Sequence, residues 1–240
     1  HASSSAASDV YKRQPFLQND FIDAIESETK SKGILESFII ARTFSFLRSN
    51  DLIYTPAIKS YMMGEAPPSF DLLFWNGDGS NLPGKMAMQY LRHLCQENQF
   101  AKNELIMFDK KIGAVDIETP VFAISCETDH IASWKDSFRG LQNFSSKEKV
   151  FVLSEAGHVA GIINAPDRNK YGYYFRKDDV NDPEQWKIGA EFVKESWWPF
   201  WERWLREKSE DLVQARIPYL SGDMDLGDAP GCYVHQKPHL

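Results

Sequence analysis

The sequence is poor in cysteine and in clustered basic charge. It has three cysteines among 240 residues, without C-x-x-C spacing, and no run of Lys and Arg longer than two. An odd number of isolated cysteines does not indicate a disulfide framework or a thiolate metal site, and it fits a reducing cytoplasm. With a net charge of −7, the chain also lacks the basic surface that binds nucleic acid, so we expect no such partner.

Long apolar runs are missing as well. No stretch approaches the roughly 18 apolar residues of a membrane-spanning helix, and the N-terminus lacks a basic region followed by an apolar one. We therefore expect no membrane span. What is present is a globular composition, with 42% hydrophobic and 25% charged residues, in a chain long enough for one sizeable core.

Composition and periodicity divide the chain into four segments. Residues 1–14 are rich in Ser and Ala and predict a non-native or disordered leader. Residues 15–100 predict a helical cap or lid region with few strands, because apolar residues recur there at helical spacing. Residues 101–210 predict an α/β core, and residues 211–240 a C-terminal tail. One helical stripe of the cap region consists of Ala87, Tyr90, Leu91 and Leu94.

The core segment has the pattern of a strand, a helix and a strand. Short apolar runs at 121–124 and 150–153 are typical of buried strands. Between them Trp134, Phe138 and Leu141 recur at helical spacing. Such a βαβ unit implies a parallel sheet with a right-handed connection.

The last part of the core predicts a loop and a closing helix. The loop follows Ala165 and is rich in Tyr and charged residues. Pro199 suits the first turn of the helix. The residues expected on the buried side of this helix are Phe200, Trp201, Trp204 and Leu205.

Two polar residues stand where the two predicted strands end. Asp129 follows the first strand and His158 the second, 29 positions later, which is the length of one strand-helix-strand unit. Chemistry in parallel sheets collects at the carboxyl ends of strands, so the pair fits the acid and base of a nucleophile-His-acid triad. Asp129 also precedes the predicted helix, so a helix N-cap is the alternative role for its carboxylate.

A nucleophile for such a triad is missing from the 240 residues. No G-x-S-x-G or G-x-C-x-G elbow occurs, although in the α/β-hydrolase order the nucleophile comes first in the sequence. Cys126 lies near the end of the same predicted strand as Asp129, where a thiol is expected to be a small core side chain. Neither Cys95 nor Cys232 lies in an elbow. We therefore expect the chain to begin after its own nucleophile.

Several motifs together resemble class I poly(3-hydroxyalkanoate) synthases. The resemblance extends from about residue 16 to the end of the chain, and five ordered motifs are far more specific than the spacing of one Asp and one His. The motifs are 70–83 (FDLLFWNGDGSNLP), 90–92 (YLR), 128–134 (TDHIASW), 157–164 (GHVAGIIN) and 196–199 (SWWP), followed by 229–234 (APGCYV).

The resemblance implies an α/β fold, namely the C-terminal part of an α/β-hydrolase fold with a parallel sheet flanked by helices and a helical cap or lid region. It implies an acyltransferase that polymerises (R)-3-hydroxyacyl-CoA, typically 3-hydroxybutyryl-CoA, to a polyester with release of coenzyme A. No cofactor is expected, because the coenzyme A thioester is a substrate. The implied partners are that thioester, the growing polyester chain, the surface of cytoplasmic polyester granules and a second copy in a homodimer.

The resemblance also implies residue roles. A Cys in an upstream Gly-x-Cys-x-Gly-Gly element takes the acyl group, His158 activates its thiol, and Asp129 promotes attack by the 3-hydroxyl. Because that element is absent here, the fragment is expected to be inactive alone. His130, next to the acid, could line the substrate tunnel or could be structural. Tyr90 could reach the substrate from the cap or could belong to the core through its helical stripe.

Two other functions remain open. Another α/β-hydrolase, such as a polyester depolymerase or a thioesterase, would use the same acid and His with water as the acceptor. A granule-associated protein without catalysis would retain the fold alone. An upstream elbow with Cys, an elbow with Ser, or no elbow at all distinguishes the three.

Overall fold

The computed structural model describes most of the chain. The described residues are 18–47, 53–66, 79–129, 132–157, 160–215, 227–232 and 235. The chain divides into two compact units, His1–Trp201 and Glu202–Leu240. The predicted leader lies outside the described residues. None of the helices in the described part is long and apolar enough to cross a membrane.

Helices dominate the described residues up to position 96. α1 (Asn19–Lys32) ends at Gly33, whose φ of 74° lets it donate its amide back to the helix as a left-handed C-cap. Arg92 forms ion pairs with two carboxylates of α1, Asp23 and Glu26. The other elements are β1 (Ile34–Leu35), α2 (Ser37–Leu47), α3 (Thr55–Ala57, continued by the π-helical Ile58–Met62), β2 (Leu82–Pro83), which is antiparallel to β1, and α4 (Gly84–Gln89, continued by the π-helical Tyr90–Gln96).

A β-hairpin without a sequence signal precedes the main sheet. β3 (Leu105–Met107) pairs antiparallel with β4 (Lys110–Ile112) across Phe108 and Asp109. Both turn residues have positive φ, 49° and 61°, as a type I′ turn requires. That turn usually contains Asn-Gly or Asp-Gly, so the pair found here gives no hairpin prediction. A 3₁₀ turn (Ala114–Asp116) follows.

The central sheet contains four strands in the order β5-β6-β7-β8. β5 (Val121–Cys126) and β6 (Lys149–Ser154) are parallel, with α5 (Trp134–Gln142) between them. The predicted βαβ unit is therefore confirmed. All six residues of β5 pair in register with β6, so the two strands end side by side. The remaining elements are β7 (Tyr173–Phe175), α6 (Pro183–Ile188), β8 (Glu191–Val193) and α7 (Trp198–Arg206).

The α/β class is confirmed, but two details of the prediction are wrong. The sheet is mixed rather than wholly parallel, because β7 runs antiparallel to both β6 and β8. The region after Ala165 is not only a loop, since the aromatic residues of β7 fit the half-buried face of a strand. α6 follows with Asp182 as its N-cap, accepting the Gln185 amide, and with Pro183 in its first turn, both of which are ordinary helix signals.

The core lies on both faces of the sheet, because side chains of β6 alternate between two clusters. Phe138 of α5 is 1% exposed and meets Phe151 edge-to-face, with ring centroids 5.1 Å apart. The first cluster consists of Trp134, Phe138, Leu141, Phe151, Leu153 and Trp186, and the second of Val152, Tyr173 and Trp197.

The closing helix has fewer buried side chains than predicted. Pro199 lies in its first turn, as predicted, but two of the four residues expected on its buried side, Trp201 and Leu205, are 40% and 37% exposed. The buried aromatic residue is instead Trp197, immediately before the helix, which fills the second cluster with Phe200 packed against it. The expected buried side is therefore wrong for those two residues.

Candidate active site

The segments that follow β5 and β6 lie side by side. Glu127 donates its amide to the Ser154 carbonyl at 2.8 Å, and Thr128 donates its amide to the Ala156 carbonyl at 3.0 Å. The pairing of the two strands therefore continues beyond their ends. Asp129 comes next in the chain, so it lies beside the segment that leads into residue 158. The pairing of an acid and a base at these strand ends stays a prediction.

Asp129 accepts a backbone hydrogen bond but does not cap α5. Its Oδ1 accepts the amide of Ala132 at 2.9 Å, whereas α5 begins at Trp134 with Ser133 as its N-cap. The helix N-cap alternative for Asp129 is therefore wrong. A carboxylate oriented by a backbone hydrogen bond suits an acid that must in turn orient an imidazole.

The two predicted site histidines, His158 and His130, lie outside the described residues, but the neighbours of His158 are described. Ala156 has a φ of 74°, a left-handed conformation that costs a residue other than Gly about 1 kcal/mol or more and is concentrated at functional sites. Gly161 donates its amide to the Gly157 carbonyl at 3.4 Å. Both ends of the segment that contains His158 are therefore held in place.

The two glycines that flank His158 differ in the space around them. A Cβ atom on Gly161 would lie 2.4 Å from the Glu155 carbonyl oxygen, 2.8 Å from Cys126 Sγ and 2.9 Å from Ser154 Oγ. A Cβ atom on Gly157 would come no closer than 3.5 Å to its nearest described neighbour, Thr128. The close approach of backbone and side chains therefore requires glycine at position 161 only.

Cys126 is a buried thiol beside the candidate acid. It is 1% exposed, which confirms its prediction as a core side chain. Burial raises the pKa of the thiol, the nearby Asp129 carboxylate acts in the same direction, and hydrogen bonds from the Gly161 and Ile162 amides oppose them. The thiol therefore stays protonated at neutral pH and is a poor nucleophile. Among the described residues, no group of three His, Cys, Asp or Glu side chains is placed to hold a metal ion.

Tyr90 does not lie in the core. It is 55% exposed, so the core interpretation of its helical stripe is wrong, while its substrate-binding role stays a prediction. From Tyr90 onward the stripe lies in the π-helical continuation of α4. A π-helix has more residues per turn than an α-helix, so spacings of three and four no longer keep side chains on one face. Of the stripe, Ala87 is buried at 1% exposure, and Leu94 is 39% exposed.

The tryptophans before α7 contact the loop that follows His158. Trp197 Nε1 donates to the carbonyls of Gly161 and Ile162 at 3.1 Å and 3.2 Å. Trp198 Nε1 donates to the Ile162 carbonyl at 2.9 Å, and Ser196 Oγ donates to the Asn164 carbonyl. From the sequence alone, these two tryptophans have no predicted role beyond the 196–199 motif. A buried indole N–H needs a hydrogen-bond partner, so the sequence does carry a signal that these tryptophans hydrogen-bond to another part of the chain.

Comparison with known proteins identifies the family. The alpha/beta hydrolase fold family matches residues 16–165, which is more than half of the chain. The chain belongs to the α/β-hydrolase fold family. Within that match lie Asp129, His158 and both strands that precede them.

This α/β-hydrolase chain is similar to three curated polymerases. It is 34% identical to a poly(3-hydroxyalkanoate) polymerase subunit of Rhizobium meliloti, over 92% of this chain and 36% of that protein. It is 35% identical to a poly(3-hydroxyalkanoate) polymerase of Methylorubrum extorquens, over 92% of this chain and 37% of that protein. The polymerase subunit of Cupriavidus necator is 35% identical over 85% of this chain and 35% of its own length. The predicted resemblance is confirmed, and the chain spans about a third of the length of these relatives.

Proposed function

We propose that the protein containing this chain is a polyhydroxyalkanoate synthase, an acyltransferase that polymerises (R)-3-hydroxyacyl-CoA and releases coenzyme A. The observation that supports this proposal most strongly is the similarity to poly(3-hydroxyalkanoate) polymerases over 92% of the chain. The pairing beyond β5 and β6 adds to it, because it brings Asp129 beside the segment that carries His158. The expected substrate is 3-hydroxybutyryl-CoA.

In the proposed reaction the nucleophile is a Cys outside these 240 residues. His158 accepts the proton of that thiol, the thiolate attacks the thioester carbonyl, and the bond to the coenzyme A sulfur breaks. The imidazolium returns the proton to the departing coenzyme A. Asp129 then accepts the proton of the 3-hydroxyl of the next acyl unit, and that oxygen attacks the acyl-enzyme carbonyl. The new ester bond forms as the bond to the Cys sulfur breaks, and the proton passes by way of His158 to that sulfur, which restores the thiol. A general base supplies roughly 10²- to 10⁴-fold in rate in such a step.

The proposal includes the partners of such an enzyme. Its substrate carries the coenzyme A thioester, so no further cofactor is required. The growing polyester chain collects as granules in the cytoplasm, and the enzyme works as a homodimer at their surface. His130 lines the substrate tunnel in this proposal, and Tyr90, which is more than half exposed, meets the substrate from the cap.

The test uses the complete reading frame. We would sequence upstream of the codon for Phe16, express the whole protein, and follow coenzyme A release from (R)-3-hydroxybutyryl-CoA together with the products. We expect a Gly-x-Cys-x-Gly-Gly elbow, polyester as the product, and loss of release in His158→Ala. A Ser elbow with free 3-hydroxybutyrate as the only product would instead indicate a depolymerase or thioesterase. Absence of any elbow and of release would indicate a non-catalytic relative.

A further inference from the structure

The dipeptide of Gly161 and Ile162 is held by four side chains. Cys126 packs against it, since a Cβ atom on Gly161 would lie only 2.8 Å from the Cys126 sulfur. The Gly161 carbonyl accepts the Ser154 hydroxyl at 3.0 Å and the Trp197 indole at 3.1 Å. The Ile162 carbonyl accepts the indoles of Trp197 and Trp198. We call Cys126, Ser154, Trp197 and Trp198 the loop clamp.

The loop clamp connects the dipeptide to both strands that carry the candidate acid and base. Cys126 is the last residue of β5, three positions before Asp129. Ser154 is the last residue of β6, four positions before His158, and it is fully buried. Ser154 and Gly161 thus bracket His158 at its two ends. A shift of the dipeptide would therefore move the His158 segment relative to Asp129.

The tryptophans provide the part of the clamp that lies outside the two strands. Both indole N–H groups point at the Ile162 carbonyl, and Trp197 is 8% exposed. The residue before the two tryptophans is also held in place, because Ser196 donates its amide to Asn169 Oδ1 at 2.7 Å. Apolar packing alone does not require a hydrogen-bond donor, whereas each of the two indoles donates to a backbone carbonyl of the loop.

We propose that Trp197 and Trp198 are positioning residues, which hold the Gly161–Ile162 dipeptide and so support the loop that follows the proposed base. The inference rests on the proposed function, because it assigns the two indoles a part in its acid and base pair. They touch neither substrate nor reacting atoms and act through the backbone of the loop. A misplacement of about 1 Å in a catalytic constellation can lower a rate by about 10²-fold, so the loss of one or two hydrogen bonds is sufficient for a large effect.

The test compares Trp198→Phe and Trp197→Phe with Trp186→Phe in the complete protein. Trp186 is also buried, but it lies in the first core cluster, on the other face of the sheet, so it controls for loss of an indole in the core. We expect kcat for coenzyme A release to fall about 10- to 100-fold in the first two variants, with KM changed less than about twofold. In Trp186→Phe we expect kcat to change less than about threefold.

A second substitution separates the hydrogen bond from the shape of the ring. Benzothienylalanine at position 198 replaces the indole N–H by sulfur and retains the bicyclic ring, so it should fold where a phenylalanine variant fails. We expect the same fall in kcat, together with faster hydrogen exchange in the peptide that covers residues 157–164. Exchange in that peptide should be unchanged in Trp186→Phe.

The outcomes distinguish the inference from the proposed function. If the wild-type protein releases no coenzyme A, the proposed function fails, and the positioning role fails with it. If the wild type is active and the variants at positions 197 and 198 keep its kcat and its exchange rates, the proposed function survives and the positioning role is refuted. A fall in kcat equal to that of Trp186→Phe refutes it as well, because loss of core packing then accounts for the effect.

Discussion

Substitution of Gly161 by Ala tests the packing beside His158. The new Cβ atom would lie 2.4 Å from the Glu155 carbonyl oxygen, whereas close carbon–oxygen contacts begin at about 3.3 Å. The backbone must therefore move by about 0.9 Å to accommodate one methyl group. Forcing extra atoms into a packed site costs about 1–3 kcal/mol, and a displacement of about 1 Å next to catalytic groups can lower the rate by about 10²-fold.

Gly157→Ala is the matched control for that substitution. Its new Cβ atom would meet Thr128 at ordinary distances of 3.5 Å and 3.6 Å, and the loss of freedom in the unfolded chain favours Ala by up to about 1 kcal/mol. Urea unfolding of the complete protein, followed by circular dichroism, should show a lower free energy of unfolding for Gly161→Ala and little change for Gly157→Ala. Equal stability of the two variants would refute the conclusion that close packing requires glycine at position 161.

Three further substitutions or conditions give measurable effects. Phe138→Ala should lower the free energy of unfolding by about 3–5 kcal/mol, measured by urea unfolding. Lys187→Met removes a partly exposed ion pair with Glu127 of 2.8 Å and the contact of the same ammonium with the Tyr174 ring, and should cost about 1–2 kcal/mol, less at high salt. Because the pKa of the Cys126 thiol is raised on folding, the stability it contributes is present below the ordinary thiol pKa and falls as pH rises above about 9. Unfolding of the wild type and Cys126→Ala over pH 8–11 should show that difference.

The part of the fold that sequence predicts best is the βαβ unit, for a physical reason. Every residue of β5 and β6 is partly or fully buried, so each strand contains a short apolar run. β7 and β8 have three residues each, too short for a periodic pattern, and their structure is decided by pairing, of β7 with β6 and of β8 with β7. The hairpin of β3 and β4 cannot be predicted from the sequence for another reason. Its turn contains Phe108, where the usual turn residues are Asn, Asp and Gly.

The site is predictable from sequence only in part. Asp129 follows a recognisable strand, so its place at the strand end can be inferred, and the observed pairing agrees with it. The hydrogen bonds of Trp197 and Trp198 cannot be inferred in the same way, because they join residues about 36 positions apart. Tyr90 is a different case. Its stripe has helical spacing in the sequence, but the chain continues as a π-helix from Tyr90 onward, so that spacing does not predict which side chains are buried.

The central claim is that Asp129 and His158 act together in an acyltransferase, and the most direct test is coenzyme A release by Asp129→Asn. The matched control is Asp136→Asn, because Asp136 lies on α5 and pairs with the exposed Arg139 at 3.1 Å. In the complete protein with (R)-3-hydroxybutyryl-CoA, we predict that Asp129→Asn lowers sustained release about 10²- to 10⁴-fold and that Asp136→Asn retains it. Equal release by the two variants would contradict the claim.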